Sequence, residues 1–166
     1  MNQQTSAHNI AQGRTSVERK GDRELLVTRT FDAPRHLVFR AWSEAEIFRK
    51  WWMPKDAPAT LTGCDMDVRT GGKYRLEFSM GDQSMAFFGK YLEVVPNEKI
   101  VWTNDEGEEE GAVTTVSFAD DGSKTLLTFH EVYPTAEALE EAMQGAAAGL
   151  PTQLDQLEEL LANMNS

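Results

Sequence analysis

Residues 135–164 read TAEALEEAMQGAAAGLPTQLDQLEELLANM, and the reading of this stretch decides the fold. Its apolar side chains fall at Leu139, Met143, Ala147, Leu150, Leu154, Leu157, Leu161 and Met164. Steps of three and four place them on one stripe of a helix. A helix with one apolar stripe needs a surface to cover it, and most of the chain before it reads as strands. The helix is weakest at its middle. Gly145 and Gly149 flank three alanines, and each glycine costs about 1 kcal/mol against alanine in a helix. Pro151 lacks an N–H and clashes with the carbonyl of residue 147, which predicts a kink there. This pattern suits either a break between two segments or a flexing roof over a pocket.

Working back from the helix, the period switches to two. Tyr74, Leu76, Phe78 and Met80 alternate with Lys73, Arg75, Glu77 and Ser79, a half-buried strand. Residues 61–68, 84–95, 99–103, 113–118 and 125–133 read the same way. Gly71-Gly72, Gly81-Asp82, Pro96-Asn97 and Asp120-Asp121-Gly122 turn the chain between them. Upstream, 15–19 and 24–31 are strands. Asp32-Ala33-Pro34 then starts a short helix with Leu37, Val38, Ala41 and Trp42 on its apolar face. Ser43 and Glu46 form a capping box for a second short helix carrying Ile47, Phe48, Trp51 and Trp52. The order predicts an α+β fold, with helices on one side of an antiparallel sheet of six to seven strands.

At 166 residues the chain makes one domain, spanning 14–166, behind a polar tail at 1–13 expected to be disordered. There are 16 basic and 27 acidic residues, a net charge of −11, which argues against nucleic acid and anionic membranes as partners. Cys64 is the only cysteine, so no internal disulfide forms. No stretch approaches a membrane span, and the N-terminus lacks a signal-peptide pattern. A cytoplasmic location is expected, and either a monomer or a dimer fits.

The sequence offers little catalytic machinery. His8 lies in the tail, His36 on a helix, and His130 shares a strand face with Thr128. No Cys/His, Ser/His/Asp or metal-ligand spacing occurs, so neither metal nor cofactor is expected. The run 105–111 (DEGEEEG) reads as a solvated acidic loop, and Gly71-Gly72 as a turn. The aromatics say more. Trp42, Phe48, Trp51 and Trp52 crowd eleven residues, and others sit on the inward faces of strands. Such an excess above a helix that thins to glycine and alanine predicts an apolar cavity. Its expected walls are Trp52, Phe78, Met80, Phe87, Trp102 and Phe129 from the body, with Met143, Ala147 and Leu150 from the helix. Glu131 shares the inward side with Phe129 and joins them as a polar group, with Asn104 as another candidate.

Four stretches resemble a known family. They are RELLVTRTFDAPRHLVFRAWSEAEIFRKWW (23–52), CDMDVRTGGKYR (64–75), GKYLEVVPNEKIVWT (89–103) and GLPTQLDQLEELL (149–161). Together they resemble the AHSA-like family, related to activators of the heat-shock protein 90 ATPase, within the START-like or SRPBCC superfamily. The resemblance covers residues 15–163. It implies a helix-grip fold, in which a curved sheet wraps the C-terminal helix around an apolar pocket. It also implies a first function, binding of a small apolar molecule by a carrier, sensor or sequestration protein. A second reading is a cyclase- or hydratase-like enzyme that uses a pocket carboxylate. The third is a chaperone-linked interaction module. A buried carboxylate facing an open pocket favours the enzyme, a closed apolar pocket the carrier, and a small pocket the module.

Overall fold

The computed structural model describes residues 9–12, 15–53, 55, 58–105, 111–144 and 149–164. Alternating apolar residues become strands wherever the period is two. These are β1 (Asn9–Gln12), β2 (Thr15–Lys20), β3 (Glu24–Phe31), β4 (Thr60–Met66), β5 (Lys73–Met80), β6 (Gln83–Val95), β7 (Lys99–Thr103), β8 (Val113–Asp121) and β9 (Lys124–Val132). Helices α1 (Arg35–Ser43) and α2 (Ala45–Phe48) follow β3, and α3 (Ala136–Gln144) and α4 (Leu150–Met164) follow β9. All neighbouring strands pair antiparallel, in the order β1-β2-β3-β9-β8-β7-β6-β5-β4. The sheet thus has nine described strands rather than six or seven. The one strand not read individually from the sequence is at the N-terminal edge, where Asn9–Gln12, inside the expected tail, pair with Thr15–Glu18. Residues 1–8 of that tail lie outside the described residues.

Register shifts between Leu61 and Gly63 and between Tyr91 and Glu93 mark bulges, which bend a sheet and increase its twist. The concave face is apolar. Leu25, Val27 and Phe31 of β3, Val116 and Phe118 of β8, and Leu127 of β9 are buried in one cluster with Leu139 of α3 and Leu154, Leu157 and Leu161 of α4. The apolar stripe therefore sits on the sheet as expected. It does so as two helices. The predicted kink at residue 147 and the run 145–148 lie outside the described residues.

Arg29, on the same inward face of β3 and only 5% exposed, reaches α4. Its guanidinium donates to Asp155 at 2.5 Å, to Glu158 at 2.9 Å and to Thr15 Oγ1 at 2.9 Å. A buried cation requires such partners. This clamp fixes where α4 lies across the sheet.

The short helices differ from expectation in their caps. Pro34 is the N-cap of α1, and its carbonyl accepts from Leu37 and Val38. Ser43 does not cap α2. Its hydroxyl donates back to the Phe39 carbonyl at 2.8 Å, so extended Glu44 opens α2 instead. Trp51 and Trp52 lie beyond α2, in a turn whose amides bond to Phe48.

Candidate functional site

An aromatic wall grows from this turn. Trp42 of α1 and Phe48 of α2 are buried, and the rings of adjacent Trp51 and Trp52 meet edge-on with centroids 5.5 Å apart. Trp51 is fully buried and donates its indole N–H to the Ala41 carbonyl at 3.0 Å. Trp52 is part-buried and stacks on Phe48, with centroids 4.7 Å apart. Trp42 meets Trp51 edge-on at 4.8 Å and lies 6.0 Å from Trp102 of β7. Offset and edge-on pairs of this kind add to the stabilisation from burial alone.

The turn after α2 leaves backbone groups without helical partners, and α4 supplies them. Gln156 donates to the Trp51 carbonyl at 2.9 Å and the Met53 carbonyl at 3.0 Å, while its own oxygen accepts from the Lys55 amide at 2.7 Å. Gln153 donates to the Trp52 carbonyl. The C-terminal helix thus positions the aromatic wall through two glutamines that apolar periodicity ignores.

The sheet forms the opposite wall. Tyr74 and Leu76 of β5 face inward beside Phe87 and Tyr91 of β6, and Met66 of β4 lies alongside. Gly89 pairs with Tyr74 across the strands. A Cβ at Gly89 would collide with the Thr103 carbonyl oxygen and the Tyr74 ring, so only glycine permits this approach. The Tyr74 hydroxyl then donates to Thr103 O at 2.7 Å.

Between the walls is a cavity of about 60 Å³, partly open to solvent. Its described lining is Trp42, Phe48 and Trp52, the sheet residues just named, Trp102 and Asn104. None of these carries a charge at neutral pH. Burial pushes the Tyr91 phenol well up, which keeps it neutral.

A line of hydrogen bonds runs back from Asn104. Its amide donates to Thr114 Oγ1 at 3.2 Å and to the Ala112 carbonyl at 2.8 Å. Thr114 donates to Glu131 at 2.6 Å, and the Tyr133 hydroxyl donates to the other carboxyl oxygen. Burial raises the Glu131 pKa above the usual carboxylate value, and the two hydroxyl donors pull it partly back. Glu131 is absent from the described lining, so it is connected to the cavity only through Thr114 and Asn104.

Of the residues expected to form the pocket, Trp52, Phe87 and Trp102 line this cavity. Phe129 stands behind, 6.3 Å from Trp42 and 6.4 Å from Trp102. Phe78 packs on Phe87 at 5.2 Å. Met80 is exposed at the hairpin end, Met143 is part-buried and Leu150 is buried, and none of the three is in the described lining. Ala147 lies outside the described residues. Tyr74, Leu76, Tyr91, Trp42, Phe48 and Met66 complete the lining without having been named for it. The first three were legible as inward-facing by alternation, and Trp42 and Phe48 as part of the aromatic crowd. Nothing in the local pattern singled out Met66.

Elsewhere the chemistry is sparse. No group of three or more His, Cys, Asp or Glu side chains among the described residues could hold a metal. His130 meets Glu24 at 2.9 Å on the outer face. That face also carries a groove of about 490 Å³ whose Lys73, Arg75 and Lys90 are mixed with Asp65 and Asp105. No described helix is long and apolar enough to cross a membrane.

Known proteins place this geometry. A Rhodobacter sphaeroides protein of known structure is 17% identical, covering 90% of this chain and 98% of its own, with a TM-score of 0.80. A Staphylococcus epidermidis protein is 27% identical over 90% of this chain and 95% of its own, with a TM-score of 0.75. One from Chromobacterium violaceum is also 27% identical, over 84% and 96%, with a TM-score of 0.70. No curated protein sequence matches the chain. The model of one family, described as activator of Hsp90 ATPase homolog 1-like protein, matches residues 32–162. With that match over most of its length and the helix-grip fold of its structural neighbours, the chain belongs to the activator of Hsp90 ATPase homolog 1-like family.

Proposed function

We propose that the protein binds a small hydrophobic ligand between the sheet and the aromatic wall, as a carrier, sensor or sequestration protein. The supporting observation is the lining itself, in which aromatic and aliphatic side chains converge on one amide with no charged group among them. The volume of about 60 Å³ is below the ~150 Å³ at which an apolar cavity takes benzene. The ligand therefore seats one end inside and lies over the apolar surface at the mouth. Phe87 lines the cavity yet is 38% exposed, and Met85 and Met80, equally open, share its face of the hairpin. Glu131 lies behind two other side chains, which weighs against direct proton transfer to a bound molecule. The small volume also suits a second reading, an interaction module with no ligand.

Titration with the neutral fluorophore N-phenyl-1-naphthylamine separates the two readings. A ligand-binding protein brightens the probe saturably, with energy transfer from Trp52 and Trp102. Phe87→Asp should abolish this with little loss of stability, because Phe87 is already 38% exposed. Absence of saturable binding, or equal binding by Phe87→Asp, rejects the proposal.

A further inference from the structure

Trp42 carries an unmet demand. The side chain is 2% exposed and lines the cavity. Its indole nitrogen is one of two buried side-chain polar atoms with no hydrogen-bond partner among the described residues, the other being Arg29 Nε. Arg29 offsets its orphan with three charged or hydroxyl partners on the same guanidinium. Trp42 has no second polar atom. Its surroundings are rings, with Trp51, Trp52, Trp102, Phe48 and Phe129 all within 6.4 Å, centroid to centroid. Adjacent Trp51 shows the usual solution, a backbone carbonyl at 3.0 Å. A buried donor left unpaired is costly, and indoles in protein interiors normally find an acceptor.

We infer that the Trp42 N–H is the polar anchor of the cavity, and that the ligand is a neutral apolar molecule bearing a carbonyl-type oxygen that accepts from it. This rests on the ligand-binding reading above and narrows it to a chemical class. Neutrality follows from the lining. No described wall residue carries a charge to pair with an ionised ligand, and a carboxylate buried there would be desolvated without compensation. Donor capacity also points to an acceptor. Among the lining residues, the Asn104 amide already donates to Ala112 O and Thr114 and the Tyr74 hydroxyl to Thr103 O, and the donors of Tyr91, Trp52 and Trp102 are not among the buried unpartnered atoms. The Trp42 indole N–H is therefore the buried lining donor without a partner among the described residues.

Three compounds of one shape test this. Acetophenone has the carbonyl, α-methylstyrene replaces its oxygen with a methylene, and benzoate keeps the outline but adds a charge. Affinities are measured by displacement of N-phenyl-1-naphthylamine from the wild-type protein and from Trp42→Phe, which removes the N–H. Acetophenone should gain about five- to tenfold over α-methylstyrene in the wild type relative to the same ratio in Trp42→Phe, and benzoate should not compete. An unchanged ratio overturns the inference, as does competition by benzoate at acetophenone's level. Failure of acetophenone to bind also overturns it. In that case binding of the naphthylamine shows that the cavity reading survives, and its absence shows that both fall. Should Trp42→Phe not fold, the wild-type protein labelled with ¹⁵N-tryptophan decides. The Trp42 indole proton should move downfield with acetophenone and stay in place with α-methylstyrene; no such difference refutes the assignment.

Discussion

Arg29 allows a sharp test of how the C-terminal helix is held. Its side chain is 5% exposed, while Asp155 and Glu158 retain 51% and 25% of theirs. The two ways of breaking this triad are therefore unequal. Asp155→Ala with Glu158→Ala leaves a guanidinium buried without a counter-charge, a situation that costs about 3–5 kcal/mol. At this chain length, where 1 kcal/mol moves the midpoint ~2–4 °C, that is a fall of about 6–20 °C. Arg29→Met leaves carboxylates that can turn to water, fills the space with an apolar chain, and removes the unpartnered Arg29 Nε. Exchanging a buried charge for an apolar residue is often near neutral, so the expected loss is about 1 kcal/mol or less, under ~4 °C. The triple variant should match Arg29→Met rather than the carboxylate pair. Thermal melting and urea unfolding of the four proteins measure this. If the carboxylate double variant is no less stable than Arg29→Met, the view of the triad as a buried charge needing cover is wrong.

Two other perturbations probe the wall and the polar line behind it. Gln156→Ala deletes three hydrogen bonds to the turn after α2, and should cost about 2 kcal/mol by urea unfolding and weaken probe binding, whereas Gln156→Glu should keep only the bond from the Lys55 amide and fall between. Unchanged stability in Gln156→Ala would show that the turn holds itself. Glu131 has its folded pKa raised by burial, so its neutral form is favoured in the fold. Its contribution is fully present below the ordinary carboxylate value and lost as pH climbs through the folded value. Relative to Glu131→Gln, the wild type should therefore lose stability as pH rises above the ordinary carboxylate value, and parallel pH profiles would contradict the burial.

Much of this molecule was legible in one dimension because periodicity reports which face a residue presents. The stripe in 135–164, the alternation from Tyr74 to Met80, and the turns at Gly71-Gly72 and Gly81-Asp82 depend on near neighbours, and they gave the α+β architecture and the apolar concave face. What periodicity does not carry is distance between faces. Phe129 and Phe78 point inward as their alternation requires, yet both stand behind other rings, because which of several inward aromatics meets the void depends on how far α1 and α2 bring Trp42, Phe48 and Trp52 towards the sheet. That approach is set by Gln153 and Gln156 reaching carbonyls about a hundred residues earlier, and by Arg29 holding α4, all polar side chains that an apolar pattern passes over. Ser43 shows the same limit on a smaller scale, since its hydroxyl could satisfy an amide ahead or a carbonyl behind, and α1 took it. The sequence by itself determined the elements and the sides they bury, which are local consequences of side-chain spacing. Only the tertiary structure decided which residues line the cavity and which indole N–H is left without a partner, because these are properties of packing between elements far apart in the chain.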